Sequence, residues 1–264
     1  MNARIRYLSF LSDAPAEIAS FYARQLDFDE VARSKDGDVT LTDGFFNITF
    51  LRRRPELHEP HTDIGLHHIG IEVEDLKAVE QRYRAFNPHW PIVAEPGGPH
   101  FGEARIYDPE GNPISLSQKS FGMREGANRM PSLRHIAYNA LWPEGTLNFF
   151  MQVFGFRELS ASFERRQQGR FNRFCGDGWT NLAIHPFYNE SEGHEARFGI
   201  NHVGFLVSDL KEKVEAFARE IPVAKRPEWR PYAEFRLRDK EGNGFDLSST
   251  KGWEVDVDKW ERAA

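Results

Sequence analysis

The sequence predicts an α+β protein built from four βαβββ modules. The main observation is one motif that recurs four times: ARIRYLSFLSD at 3–13, LHHIGIEVEDL at 66–76, SLRHIAYNA at 132–140 and GINHVGFLVSDL at 199–210. When the four copies are aligned, the same motif position is occupied by Arg6, His68, His135 and His202. A fixed period of about 65 residues indicates one supersecondary unit used four times.

Each copy begins with the period-2 alternation of a β-strand. In the fourth copy Val203 and Phe205 point one way, where they can pack beneath a helix, and His202 and Gly204 point the other way. Small residues beside the His leave space on that face. We therefore expect the His side of the strand to line a cavity.

A helix is predicted after each of these strands. Asp75 and Asp209 occupy N-cap positions ahead of LKAVEQRYRAF and LKEKVEAFARE, in which apolar residues recur at helical spacing. Pro15 and Pro143 start the corresponding helices of the first and third copies. Short strands separated by Gly and Asp turns complete each module, the last of them at 46–51, 113–117, 181–185 and 245–249.

Composition and net charge argue against several classes of protein. The chain has 264 residues and a net charge of −6, and it lacks a basic stripe, which argues against nucleic-acid binding. The lone Cys175 excludes an internal disulfide and suits a reducing compartment. Since there is no long apolar run and no signal-peptide core, we expect a cytoplasmic protein that does not span a membrane.

The His-bearing strands, together with the turns DPEGNPISL at 108–116 and DKEGNGFDL at 239–247, resemble the vicinal oxygen chelate superfamily. That superfamily includes glyoxalases, extradiol dioxygenases and bleomycin-type resistance proteins. The resemblance implies that the four modules pair into two half-open barrel domains. We expect four segments: an N-terminal domain at 1–118, a linker at 119–130, a C-terminal domain at 131–250 and a tail at 251–264. The tail carries Trp253 and Trp260 and is expected to dock back onto the fold as a short helix.

The resemblance also marks metal-ligand positions in each half. In the N-terminal domain they hold Arg6, Thr49, His68 and Ser115, which cannot bind a metal, so His68 is expected to be a hydrogen-bonded interior residue. The C-terminal domain has His135, Ala183, His202 and Asp246 there. His135, His202 and Asp246 match a facial triad with open positions, for which we expect Fe(II), with Mn(II) or another divalent ion as alternatives. Alternatively the two histidines are coincidental and Asp246, which is shorter than the family's Glu, is an ordinary turn carboxylate.

Three further residues are candidates for catalysis. His185 lies two residues beyond Ala183 on the same strand face and could act as an acid/base, or it could be a surface His at a strand end. Arg236 stands where extradiol enzymes have a Tyr and could anchor an anionic oxygen. Tyr232 could supply a phenolic donor.

The leading hypothesis is a non-haem Fe(II) enzyme of the extradiol dioxygenase kind, acting with O₂ on a small, anionic, catecholic substrate. The alternatives are a glyoxalase-like metal lyase or isomerase and a metal-free protein that binds a small molecule, as resistance-type members do. The chain could also associate as a homo-oligomer. Substrate and metal identity do not follow from the sequence.

Overall fold

The computed structural model describes residues 3–54, 63–95, 102–122, 130–187, 199–230 and 232–253. The part of the tail that contains Trp260 lies outside these residues. No helix in the described ranges is long and apolar enough to cross a membrane.

The elements follow the predicted order. The strands of the first half are β1 (Ala3–Ser12), β2 (Asp29–Arg33), β3 (Val39–Thr42), β4 (Asn47–Arg52), β5 (Gly65–Val73), β6 (Val93–Ala94), β7 (Ala104–Tyr107) and β8 (Pro113–Ser117). Those of the second half are β9 (Ser132–Ala140), β10 (Arg157–Glu158), β11 (Arg173–Gly176), β12 (Asn181–Pro186), β13 (Gly199–Leu206), β14 (Val223–Lys225), β15 (Phe235–Arg238) and β16 (Gly244–Ser248). The helices are α1 (Pro15–Leu26), α2 (Leu76–Phe86), α3 (Pro143–Phe154), α4 (Ser160–Gln167) and α5 (Leu210–Ala218).

Two unclosed eight-stranded sheets result, ordered β2-β3-β4-β1-β5-β8-β7-β6 and β10-β11-β12-β9-β13-β16-β15-β14. In each sheet the first strands of two modules pair antiparallel at the centre, and each of them pairs parallel with the last strand of its own module. The α+β class and the four paired βαβββ modules are confirmed. Helix α4, inserted between β10 and β11, is an addition that the module pattern did not predict.

Helices α1, α2, α3 and α5 pack on one face of each sheet. Helix α4 lies on the opposite, polar face of the second sheet, where its Ala161 clusters with Ala137 and Ala183. The predicted N-caps are confirmed. The Asp75 carboxylate accepts a hydrogen bond from the backbone amide of Ala78, and the Asp209 carboxylate accepts one from the backbone amide of Glu212. Val203 and Phe205 lie in the core and are 0 % exposed. The helix-covered faces of both halves belong to one continuous hydrophobic core.

The two halves also exchange reciprocal hydrogen bonds. Asp43 accepts from the amide of Leu133 at 2.9 Å, and Asp177 accepts from the amide of Ile5 at 2.7 Å. Burial raises the pKa of both carboxyls, against the opposing effect of their backbone hydrogen bonds. Each half therefore ties down the first strand of the other.

The strand register corrects the alignment of the first motif. Tyr7 pairs with Gly70 just as His135 pairs with Gly204, so Tyr7, and not Arg6, is the counterpart of His135. Arg6 lies at the irregularity between Ile5 and Tyr7, where the extra residue shifts the alternation. Its guanidinium instead bonds Glu72 at 2.9 Å.

Candidate functional site

A pocket opens on the polar face of the second sheet. Twelve described residues line it: His135, Arg165, Asn172, Phe174, His185, His202, Arg226, Arg230, Tyr232, Arg236, Asp246 and Trp253. All six candidates from the sequence, namely His135, His185, His202, Tyr232, Arg236 and Asp246, are among them. The cavity expected beside the histidines is therefore confirmed.

Strand pairing brings the candidates together. His202 lies on β13 and His135 on β9, neighbouring antiparallel strands, and their ring centroids are 5.3 Å apart. Asp246 on β16 is next to Gly204 in the parallel register and opposite Arg236 on β15. His185 lies near the end of β12, and its ring stacks on that of His202 at 6.3 Å.

Trp253 forms one wall of the pocket. Its indole stacks on the His135 ring at 5.1 Å and 7°, above Gly204, where a Cβ would overlap the indole. Glu234 fixes the segment that leads to Trp253 by accepting from Ser248 and from Thr250. Burial raises the Glu234 pKa, but hydrogen bonds outweigh this effect and lower it to about 2.

In the first half, Tyr7 and Phe121 take the places of His135 and Trp253. The Phe121 ring stacks on Tyr7 at 5.1 Å and 20°, above Gly70, as Trp253 does in the second half. His68 is 4 % exposed, and its Nδ1 lies 2.6 Å from the Ser9 hydroxyl. The expectation that His68 is a hydrogen-bonded interior residue is confirmed.

Asparagine side chains fix the tautomers of the three pocket imidazoles. Nδ1 of His135 donates to Oδ1 of Asn181 at 2.8 Å, so the neutral ring keeps a lone pair on Nε2. Nδ1 of His202 donates in the same way to Asn201 at 2.8 Å.

His185 has the opposite tautomer. Its Nδ1 lies 2.6 Å from the amide nitrogen of Asn172 and accepts from it, which puts the ring proton on Nε2. The pocket therefore combines imidazoles of both tautomers, two with a lone pair on Nε2 and one with a proton there.

Burial keeps His135 neutral. It lowers the pKa of the ring to about 4, although the charge of Asp246 and the bond to Asn181 act in the other direction. His135 is therefore uncharged at neutral pH.

Two arginines hold the Asp246 carboxylate. Arg236 binds the carboxylate bidentately, with its Nε 2.7 Å from Oδ1 and its Nη2 2.9 Å from Oδ2. Nη1 of Arg226 lies 2.7 Å from Oδ2. The Asp246 side chain is only 2 % exposed. Nη2 of Arg236 also donates to Nε2 of His202 at 3.0 Å. The guanidinium of Arg236 thus links two of the three predicted metal ligands.

This arrangement does not fit a divalent metal. An ion at the triad would need Nε2 of His202 and an oxygen of Asp246, and a guanidinium already occupies both. A second cation placed there would also be repelled by Arg226 and Arg236. Within the described ranges, no group of three His, Cys, Asp or Glu side chains is arranged to hold a metal ion. His135, His202 and Asp246 converge as predicted, but they converge around an arginine.

Most of the positive charge in the pocket was not predicted from the sequence. Arg165 comes from α4, and Arg226 and Arg230 from the segment between β14 and β15. The lining residues that the structure describes thus carry four guanidiniums and one carboxylate. The run KRPEWRPYAEFRLR at 225–238 held the signal for three of them, but its loop residues have no strand periodicity that would place them at a site.

Comparison with known proteins agrees with this fold. The model of the "Glyoxalase/Bleomycin resistance protein/Dioxygenase superfamily" matches residues 4–116 and again 132–247. The chain belongs to this superfamily. Its two matched segments coincide with the two sheets, so both halves are members. No curated protein matches the sequence.

Solved structures with this superfamily fold resemble the chain at low identity. A Mn(II)-bound glyoxalase from Novosphingobium aromaticivorans has a TM-score of 0.71 at 16 % identity, covering 97 % of this chain and 84 % of that one. The 2,3-dioxygenase LapB from Pseudomonas sp. KL28 has a TM-score of 0.67 at 18 % identity, covering 95 % and 92 %.

A third similar structure is much longer. A xylose isomerase-like TIM barrel/4-hydroxyphenylpyruvate dioxygenase fusion protein has a TM-score of 0.63 at 16 % identity, and the chain covers 52 % of its length. At such identities these structures establish the shared fold and leave the activity to be argued from the site.

Proposed function

We propose that the C-terminal pocket binds a small anionic molecule with an aromatic or similarly flat apolar body, and that it does so without a metal. The observation that carries this proposal is the ion cluster of Arg226, Asp246 and Arg236, which takes the place of a metal beside His202. Of the three hypotheses from the sequence, the metal-free small-molecule-binding protein accounts best for this cluster.

Charge indicates the anionic part of the ligand. Among the described lining residues there are four arginines and one carboxylate, a predominance of positive charge that favours an anionic ligand. Nε and Nη2 of Arg236 are already bound to Asp246 and His202, so we propose that Arg236 keeps the role of anchor for an anionic oxygen through its positive charge and not through a second bidentate pair. A small carboxylate meets this requirement.

Aromatic side chains indicate the body of the ligand. Phe174, Tyr232 and Trp253 line the pocket, and the Phe174 and Tyr232 rings are 6.0 Å apart. Such walls favour a flat apolar group, which gains dispersion and burial energy by packing against them. Benzoate is the simplest compound that combines both features.

The test is calorimetric titration of benzoate in the presence of EDTA. The parent protein should bind it, and Arg236→Met should weaken binding by about tenfold or more, because it removes a positive charge from the lining and leaves the Asp246 carboxylate less neutralised. Arg238→Met is the matched control, since Arg238 lies two residues along β15 and is exposed outside the pocket lining. Equal losses in both variants, or no binding by the parent, would contradict the proposal.

The second candidate is a metal-dependent enzyme, either an extradiol-type dioxygenase with Fe(II) and O₂ or a glyoxalase-like lyase. The convergence of His135, His202 and Asp246 in one pocket favours it. It requires Arg226 and Arg236 to release Asp246. His185 and Tyr232 would then keep their predicted roles as acid/base and phenolic donor.

Metal content separates the two candidates. Near-stoichiometric iron or manganese after anaerobic purification, lost in His202→Ala, would favour the metal enzyme. Under our proposal, both proteins contain only trace metal, even after reconstitution.

A further inference from the structure

His135 is a buried side chain that lines the pocket and carries a hydrogen-bond acceptor, Nε2. The residue is 4 % exposed, and its Nδ1 is bonded to Asn181, which leaves the lone pair on Nε2. The parallel indole of Trp253 holds the plane of the ring. Within the described part of the chain, no residue donates a hydrogen bond to this nitrogen.

The other acceptors of the inner wall are already engaged by arginine. Nε2 of His202 accepts from Arg236, and the Asp246 carboxylate accepts from Arg226 and Arg236. Arg165 and Arg230, which are half-buried, add further donors to the lining. His135 therefore provides a hydrogen-bond acceptor in a pocket dominated by donors.

A simple anion does not satisfy both parts of this pocket. Its oxygens satisfy the arginines, but they bring further lone pairs towards Nε2 of His135. A buried acceptor without a donor loses the hydrogen bond that water would give it. A ligand hydroxyl beside the anionic group supplies the missing donor.

We propose that the ligand is a hydroxycarboxylate, whose carboxylate is bound by the arginines and whose hydroxyl donates to Nε2 of His135. This proposal rests on the proposed anion-binding function and makes His135 the residue that selects hydroxylated ligands. The selection works through a fixed neutral tautomer, and it needs neither a metal nor a protonated imidazole.

Matched ligand pairs test the proposal: 3-phenyllactate against 3-phenylpropionate, and 3-hydroxybenzoate against benzoate, titrated calorimetrically with EDTA present. The members of each pair differ by one hydroxyl. In the parent protein the hydroxylated member of at least one pair should bind about three- to tenfold more tightly, the range expected for one net hydrogen bond. In His135→Phe, which keeps a ring against Trp253, this preference should disappear, so that the two members of each pair bind with equal affinity.

His185→Phe is the matched control, because it removes an imidazole of the opposite tautomer from the same pocket. It should keep the preference for the hydroxyl. Two results would overturn the assignment of His135 while leaving anion binding intact. One is equal affinity of the parent for both members of each pair. The other is a preference for the hydroxyl that survives in His135→Phe and is lost in His185→Phe. Failure of every ligand to bind the parent would instead refute the proposed function, and the selection with it.

Discussion

Replacing Asp246 with Asn tests whether this carboxylate is part of an internal ion cluster. The side chain is 2 % exposed and accepts three hydrogen bonds of 2.7 to 2.9 Å from Arg226 and Arg236, whose side chains are 15 % and 22 % exposed. Removing one partner of a buried ion pair costs about 3–5 kcal/mol, because the remaining charges stay desolvated. Asn keeps one oxygen acceptor, so we expect a loss near the lower end of this range, about 3 kcal/mol.

The assay is urea and thermal unfolding at pH 7 after treatment with a chelator, so that loss of a bound metal cannot contribute. A loss of about 3 kcal/mol corresponds to a fall in Tm of roughly 6–12 °C for a chain of this size. Asp209→Asn is the control, since it makes the same charge change at an exposed N-cap where Asn serves equally well, and it should change stability by less than about 0.5 kcal/mol. If Asp246→Asn is as mild as this control, the ion cluster does not hold the pocket together and our reasoning fails.

Three further predictions follow from the same contacts. The double variant Arg226→Ala/Arg236→Ala should bind a divalent metal that the parent does not bind, because the two substitutions free His202 and Asp246. Equilibrium dialysis with Mn(II) measures this, and equal metal binding by both proteins would contradict the prediction. The low pKa of His135, about 4 against an ordinary 6.5, means that between these pH values the unfolded chain takes up a proton that the folded chain does not. The free energy of unfolding should therefore fall as the pH drops below 6.5, and His135 should account for about 2–3 kcal/mol of the fall by pH 4.5. His135→Phe should lack this contribution. The prediction is refuted if urea unfolding at pH 7 and pH 4.5 shows the same loss of stability in both proteins. Asp177→Ala should lower the free energy of unfolding by about 2–3 kcal/mol, because it leaves several buried amides without an acceptor, including that of Ile5 in the other half. If urea unfolding shows a loss below about 0.5 kcal/mol, the bond between the halves does not contribute to stability.

The sequence predicted the fold because its signals are local and repeated. Period-2 strands, caps such as Asp75 and a recurring motif all act over short distances, and four copies reinforce one another. The alignment of Arg6 was wrong because a single bulge shifts the alternation by one residue. A pattern of residue types does not reveal a bulge until the partner strand is known.

The site was predictable in its members but not in its chemistry. Strand alternation correctly placed His135, His202 and Asp246 on one face, although the pairing of β13 with β9 is irregular between Ile200 and His202 and between Gly204 and Phe205. What those side chains bind depends on Arg226, which comes from a loop, and on Arg236, whose guanidinium reaches across the sheet to the acid opposite it. The geometry of long, flexible side chains is set by tertiary contacts that a sequence pattern does not specify.

The central claim is that the pocket binds an anion through arginine and not through a metal. The most direct measurement is the affinity of one anaerobically purified preparation for benzoate, titrated before and after exhaustive chelation, with metal content determined on the same samples. We expect equal affinity in both titrations and a metal content far below one ion per chain. Binding that disappears with the metal and returns on adding Fe(II) or Mn(II) would contradict the claim and make the triad of His135, His202 and Asp246 a metal site.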